Sequence, residues 1–154
     1  MNHSAQSATE VEYVTAMIGG QLFGMSIERI LDVFKPARLT RVPLAPPEIA
    51  GVLNLRGRIV TAIDMRKRLD LPPRAQGETF MAIGVEHDGE SYGLLVDKIG
   101  EVLKLPAHSL DPVPANLDPS WARLAEGVYR LDDRLMVVLD VDKSLDYQTE
   151  AVAA

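Results

Sequence analysis

The chain has 154 residues, a length that fits one domain or two small subdomains sharing a core. Its formal charge of −6 offers no basic stripe to a phosphate backbone, which argues against a nucleic-acid partner. It contains no cysteine, which excludes disulfides, thiol catalysis and cysteine-ligated metals and fits a reducing compartment.

In chain order, the opening MNHSAQSATE lacks the basic and apolar regions of a signal peptide, and residues 1–10 read as a disordered tail. No apolar run reaches bilayer length, so the expected address is the cytoplasm, with no direct membrane insertion. VEYVTAMI and QLFGMSI flank Gly19-Gly20, a hairpin pattern, because two glycines accept the positive φ angles of a two-residue turn. Gly24 lies inside the second strand, where glycine marks a bulge or sharp bend. Ile27, Ile30, Leu31 and Phe34 follow helical spacing, and one helical turn leading into an edge strand fits them equally well.

GVLNL and RIVTAIDM are the next strands, and between their apolar runs stands the charged corner Arg56-Gly57-Arg58. That corner reads either as a turn with its arginines in water or as a contact site held up by the strands. RKRLDL can add a helical turn, and PPRAQGE links to the second half. There TFMAIGVE and SYGLLV, joined through Asp88-Gly89, repeat the hairpin, with Gly93 inside a strand as Gly24 is. DPSWARLAEG reads as a short helix capped by Asp118 with Pro119 at its first position, and GVYRL and RLMVVLDV close the pattern.

The second half copies the first. FGMSIERILDVFK (Phe23 to Lys35) aligns without a gap on YGLLVDKIGEVLK (Tyr92 to Lys104), and GVLNLRGRIVTAIDMRKRLDL aligns on Gly127 to Tyr147. Gly51/Gly127, Leu55/Leu131, Arg58/Arg134, Asp64/Asp140 and Lys67/Lys143 are identical across the copies. The chain therefore reads as two units of one kind, about 11–71 and 80–147. Each is too small to bury much surface alone, so they should pack across a shared apolar seam. The fold class is mainly β, with two small barrels side by side and a groove between them. Across the copies Leu55 stays leucine, while Arg56-Gly57 becomes Asp132-Asp133, so the fold itself does not require an arginine at the corner.

Catalytic chemistry is not indicated. His3, His87 and His108 share no metal-ligand spacing and read as solvated, and no serine stands in a nucleophile elbow. Asp64 and Asp140, at equivalent positions after strands, read as turn or cap residues rather than an acid/base pair. No cofactor and no metal is nominated.

GVLNLRGRIVTAIDMRKRLDL, with RVPLAPPEIAGVLNLRG before it and YGLLVDKIGEVL after it, resembles the CheW family, the coupling proteins of bacterial chemotaxis. The likeness covers about 11–147, with a short tail at 148–154. It implies two SH3-like five-stranded β-barrels with short helices. It also implies a non-enzymatic adaptor between the cytoplasmic tip of chemoreceptors and the regulatory domain of the histidine kinase CheA, recruited to membrane-anchored arrays. By the same resemblance Arg56 carries coupling and pairs with an acid at Asp32, on a corner supported by Asn54 and Gly57. The receptor groove falls on Ile30, Val33, Gly51 and Leu55, closed by Val96 and Ile99, and kinase contact is suggested near Arg41–Pro43 and Thr61–Met65. The alternatives are a paralogous adaptor of another chemosensory pathway, such as surface motility, and a small-ligand-binding β-barrel.

Overall fold

Turn chemistry sets the hairpins. Gly19 and Gly20 take φ of 60° and 84°, and Asp88 and Gly89 take 51° and 79°, the left-handed pairs that match the twist of antiparallel strands. They join β1 (Glu10–Ile18) to β2 (Gln21–Ser26) and β7 (Met81–His87) to β8 (Glu90–Val96). The computed structural model describes residues 9–36, 38–55 and 57–146; the tail residues 1–8 and 147–154, and Arg56, lie outside the described residues.

After β2, a 3-10 turn at Ile27–Arg29 leads into the edge strand β3 (Ile30–Phe34), one of the two expected outcomes for that segment. A two-residue β4 (Leu39–Thr40), β5 (Ile49–Leu55) and β6 (Arg58–Asp64) follow. The second half supplies β9 (Lys98–Pro106), β10 (Ala125–Arg130) and β11 (Leu135–Leu139). Three one-turn helices, α1 (Met65–Arg68), α2 (Pro119–Ala122) and α3 (Val141–Ser144), are capped by the side chains of Asp64, Asp118 and Asp140, which accept backbone N–H bonds. The cap role expected for Asp64 and Asp140 is what the structure shows.

The sheets do not follow the repeat units. One five-stranded sheet runs β10-β11-β2-β1-β9 and one six-stranded sheet runs β3-β7-β8-β6-β5-β4, so each takes its hairpin from the other half of the sequence. The joins are parallel. Phe23 and Gly24 of β2 pair with Val137 and Val138 of β11, and Tyr92 and Gly93 of β8 pair with Thr61 and Ala62 of β6. These pairs are equivalent across the repeat.

Apolar faces meet in three clusters. The central one joins Ile18, Phe23 and Met25 of the first sheet to Ile63, Ile83, Leu94 and Val96 of the second, with Leu69 and Leu145 beside the helices. Tyr13, Tyr129, Met136 and Val138 fill the curl of the first sheet, and Leu53, Ala62, Ala82 and Leu95 that of the second.

The bulges correct one expectation. Gly24 and Gly93 sit in unbroken register opposite Thr15 and Gly84. Gly24 serves close packing instead, since a Cβ there would lie 2.8 Å from Met136 Cε. Bulges with Ala50 and Glu126 as the extra residues fall instead just before Gly51 and Gly127, where a side chain would run into the carbonyl oxygens of Thr40 and Asp111. No helix among the described residues is long and apolar enough to cross a membrane.

Exchanged hairpins make the two sheets one cooperative unit. Phe23→Ala, which empties a fully buried site in the central cluster, is expected to cost about 3–5 kcal/mol in one urea transition seen alike by circular dichroism and tryptophan fluorescence. Residues 11–71 expressed alone are expected to show no cooperative unfolding, because β1 and β2 then have no sheet to join.

Candidate functional site

The charged corner is a tight turn between β5 and β6. Gly57 holds a φ of 82° and donates its N–H to Asn54 Oδ1 at 3.0 Å, so Asn54 and Gly57 build the corner together. Arg58 reaches across to β8 and donates to Ser91 Oγ at 3.2 Å. Arg56 is outside the described residues, so its pairing with Asp32 stays an expectation.

Asp32 and Leu55 do share a site. With Leu31, Arg58, Val60 and Tyr92 they line a cavity of about 280 Å³ at the corner end of the second sheet. Gly84 makes room for the carboxylate: a Cβ on it would lie 2.5 Å from Asp32 Oδ1. Leu31 is the surprise here, 59% exposed on an edge strand. Ile30 pairs with Val85 and Asp32 with the adjacent Gly84, so Leu31 is the extra residue of a bulge and projects outward. Neither a two-residue nor a 3.6-residue period signals a bulge, so the sequence does not mark Leu31 as an exposed site residue.

The remaining groove residues do not gather on one surface. Val33 is exposed on β3, while Ile30 and Ile99 are half-buried against the central cluster. Val96 is fully buried within that cluster and Gly51 is buried under Thr40, so neither presents a side chain to a partner. This corrects the expected lining: Val96 and Gly51 are buried in the fold and present nothing to a partner.

Two ion-pair clasps were not anticipated. Arg66 donates to both oxygens of Asp97, Nη2 to Oδ2 at 2.7 Å and Nε to Oδ1 at 3.1 Å. Arg74 and the Gly19 N–H donate to the same carboxylate. Burial pushes the Asp97 carboxyl up, but these donors outweigh it and hold it below its ordinary value. In the other clasp Arg29 grips Asp142 with two bonds, at 2.8 and 3.1 Å, and His87 Nδ1 lies 2.9 Å from Asp142 Oδ1. His87 is therefore held in a contact between the sheets rather than solvated in a turn. The repeat carried only part of the signal: Arg66 and Asp142 occupy equivalent positions, but Asp97 stands opposite Glu28, and Arg29, which holds Asp142, stands opposite Lys98. Among the described residues no group of three His, Cys, Asp or Glu is placed to hold a metal ion.

The chain matches the family model of the CheW-like domain over residues 12–149. It is 30% identical to the chemotaxis protein CheW of Helicobacter pylori over 135 residues, 88% of this chain and 81% of that protein. Against the chemotaxis protein CheW of Bacillus subtilis it is 26% identical over 150 residues, covering 97% of this chain and 96% of the relative. Protein FrzA of Myxococcus xanthus is 26% identical over 122 residues, 79% of this chain and 76% of FrzA. The crystal structure of the scaffolding protein TtCheW from Thermoanaerobacter tengcongensis superposes with a TM-score of 0.78 at 29% identity, covering 87% of this chain and 86% of that one.

The Arg29 clasp has a pH signature. Hydrogen bonds from Arg29, then His87, lower the Asp142 pKa from its ordinary 3.8 to about 2. A carboxylate depressed in the folded state adds stability that is complete above 3.8 and lost as pH falls toward 2. Asp142→Asn is expected to lower the melting temperature at pH 7, and the difference from wild type should close as the pH is taken down to 2.

Proposed function

This chain belongs to the family of CheW-like domains, and we infer that it is a non-enzymatic adaptor coupling chemoreceptors to the histidine kinase CheA in bacterial chemotaxis. The observation that carries this reading is the family match itself, which spans both sheets rather than one motif. It acts in the cytoplasm, recruited to membrane-anchored receptors. Its partners are the cytoplasmic receptor tip and the regulatory domain of CheA.

In this reading the receptor docks on the corner end of the second sheet. A receptor tip is a long helical hairpin, and a helix binds by laying an apolar stripe against an apolar surface. Leu31, Val33 and Leu55 supply that surface, while Ile30 and Ile99 are half-buried against the central cluster and Gly51 and Val96 are buried. Asp32, which lines the adjoining cavity, is the acid that this reading pairs with Arg56, and the pair would set the orientation of the receptor helix. The divergence of Arg56-Gly57 to Asp132-Asp133 supports a functional role for this corner, since the equivalent turn closes without arginine through the Leu131 N–H bond to the Arg134 carbonyl.

The likeness to FrzA favours one second reading, a paralogous adaptor of another chemosensory pathway such as surface motility. Pull-down with a chemoreceptor signalling fragment and with the CheA regulatory domain separates the two. Binding of both at tens of micromolar is expected, and binding of neither would end the coupling reading. Arg56→Asp is expected to abolish receptor coupling while changing folding stability by no more than about 0.5 kcal/mol. Adding Asp32→Arg to that variant is expected to restore part of the binding.

A further inference from the structure

The cavity beside Asp32 in the six-stranded sheet has a counterpart in the five-stranded one. Gly100, Glu101, Leu131 and Arg134 stand at the repeat positions of Leu31, Asp32, Leu55 and Arg58. Thr15 and Leu22 correspond in the same way to Gly84 and Ser91, as the strand registers show. All of them line a cavity of about 810 Å³, against about 280 Å³ for the one beside Asp32.

A bulge on each edge strand explains the difference. On β3 the extra residue is Leu31, which projects outward. On β9 Gly100 and Glu101 stand together opposite Thr15, and a side chain on Gly100 would run into the Thr15 hydroxyl. Thr15 is buried, and its hydroxyl donates to the Glu101 carbonyl at 2.7 Å, which fixes the bulge. One cavity therefore carries a leucine knob, and the other is an open hollow. Met17, Leu22, Leu103, Leu105 and Leu131 line that hollow, each only half-buried.

Its rim is acidic. Arg130 is held by Asp111 at 3.2 Å, and Arg134 lies 3.7 Å from Asp133. Glu101 and Asp132 have no ion-pair partner among the described residues. They stand at the repeat positions of Asp32 and Arg56, so an acid replaces the arginine of the other corner. Two uncompensated carboxylates on one hollow attract a cation and repel phosphate backbones and anionic membranes. Glu101, Leu103 and Leu105 alternate along β9, so the side-chain face of the strand borders the hollow. Its occupant is therefore read through side chains, as a docked helix is, and not by strand addition.

We propose that this hollow is a further docking surface, which receives an amphipathic helix carrying arginine or lysine beside leucine-sized side chains. The apolar side chains fill the leucine-lined floor, and the cation meets Glu101 and Asp132. The surface belongs to the opposite sheet from the receptor face, and it goes beyond the adaptor reading without depending on it.

A synthetic helical peptide with leucines along one face and arginines along the other tests this on the full chain, by calorimetry and amide chemical-shift mapping. Shifts are expected at Gly100–Leu105 and Arg130–Arg134. Glu101→Lys with Asp132→Arg reverses the rim at exposed positions, so the melting temperature should hold. That variant is expected to weaken the peptide at least about tenfold. Glu28→Lys with Glu90→Lys makes the same change of net charge at exposed positions elsewhere and is expected to cost no more than about twofold. The peptide with glutamate in place of arginine, or serine in place of leucine, should not bind. Shifts confined to other residues, no binding by the wild type, or equal losses in the two double variants overturn the docking surface. None of these results bears on the adaptor reading, which the pull-down tests separately.

Discussion

The exchange of hairpins between the two halves is the constraint on which the rest of the structure depends. β1 and β2 complete a sheet begun by β9, β10 and β11, and β7 and β8 complete one begun by β3 to β6. The two parallel joins, β2 to β11 and β6 to β8, place Phe23 and Leu94 on opposite walls of one central cluster. Neither sheet can be assembled from a single half. Burial of the shared cluster and formation of both sheets are therefore one event.

The clasps are the electrostatic counterpart of that exchange. Each lies at the end of a parallel join and reaches the hairpin turn of the other sheet. Asp97, just after β8, takes Arg66 from α1 beyond β6 and the Gly19 N–H from the β1–β2 turn. Arg29, just after β2, takes Asp142 from α3 beyond β11 and the Glu86 carbonyl of β7. Only one side of the clasp changes sign across the repeat, Arg66 standing opposite Asp142, and the cation that meets Asp142 comes from Arg29, one residue after Glu28, the equivalent of Asp97. Asp97 is the more buried carboxylate and has more donors, so loss of Arg66 would leave a charge poorly solvated. Buried Arg68 adds a third tie, donating to the Lys143 and Ser144 carbonyls at the end of α3.

Duplication also explains how one small scaffold can carry distinct surfaces. Positions that hold the fold are kept in both halves: Leu55 with Leu131, the cap residues Asp64 with Asp140, and the glycines after the bulges, Gly51 with Gly127. Positions that the fold leaves free have diverged. Arg56-Gly57 stands opposite Asp132-Asp133, and the exposed Arg41–Leu44 segment stands opposite a segment folded onto the core. Comparison of the halves acts as an internal control, separating what β-sheet geometry requires from what it leaves free.

The sequence by itself determined the features that depend on neighbouring residues. Gly19-Gly20 and Asp88-Gly89 select hairpin turns, Asp64, Asp118 and Asp140 cap the helices that follow them, and the repeat with its Gly51–Leu71 block identifies the family. Which half supplies which hairpin was decided only in three dimensions, because a strand's pattern of apolar residues suits either sheet. The bulges at Ala50 and Leu31 were hidden for the same reason, since an extra residue in a strand is defined by its partner's register. Val96 and Leu31 show the consequence for the site. Both are aliphatic, yet one lies in the central cluster and the other in solvent, a difference set by distant strands through packing and register.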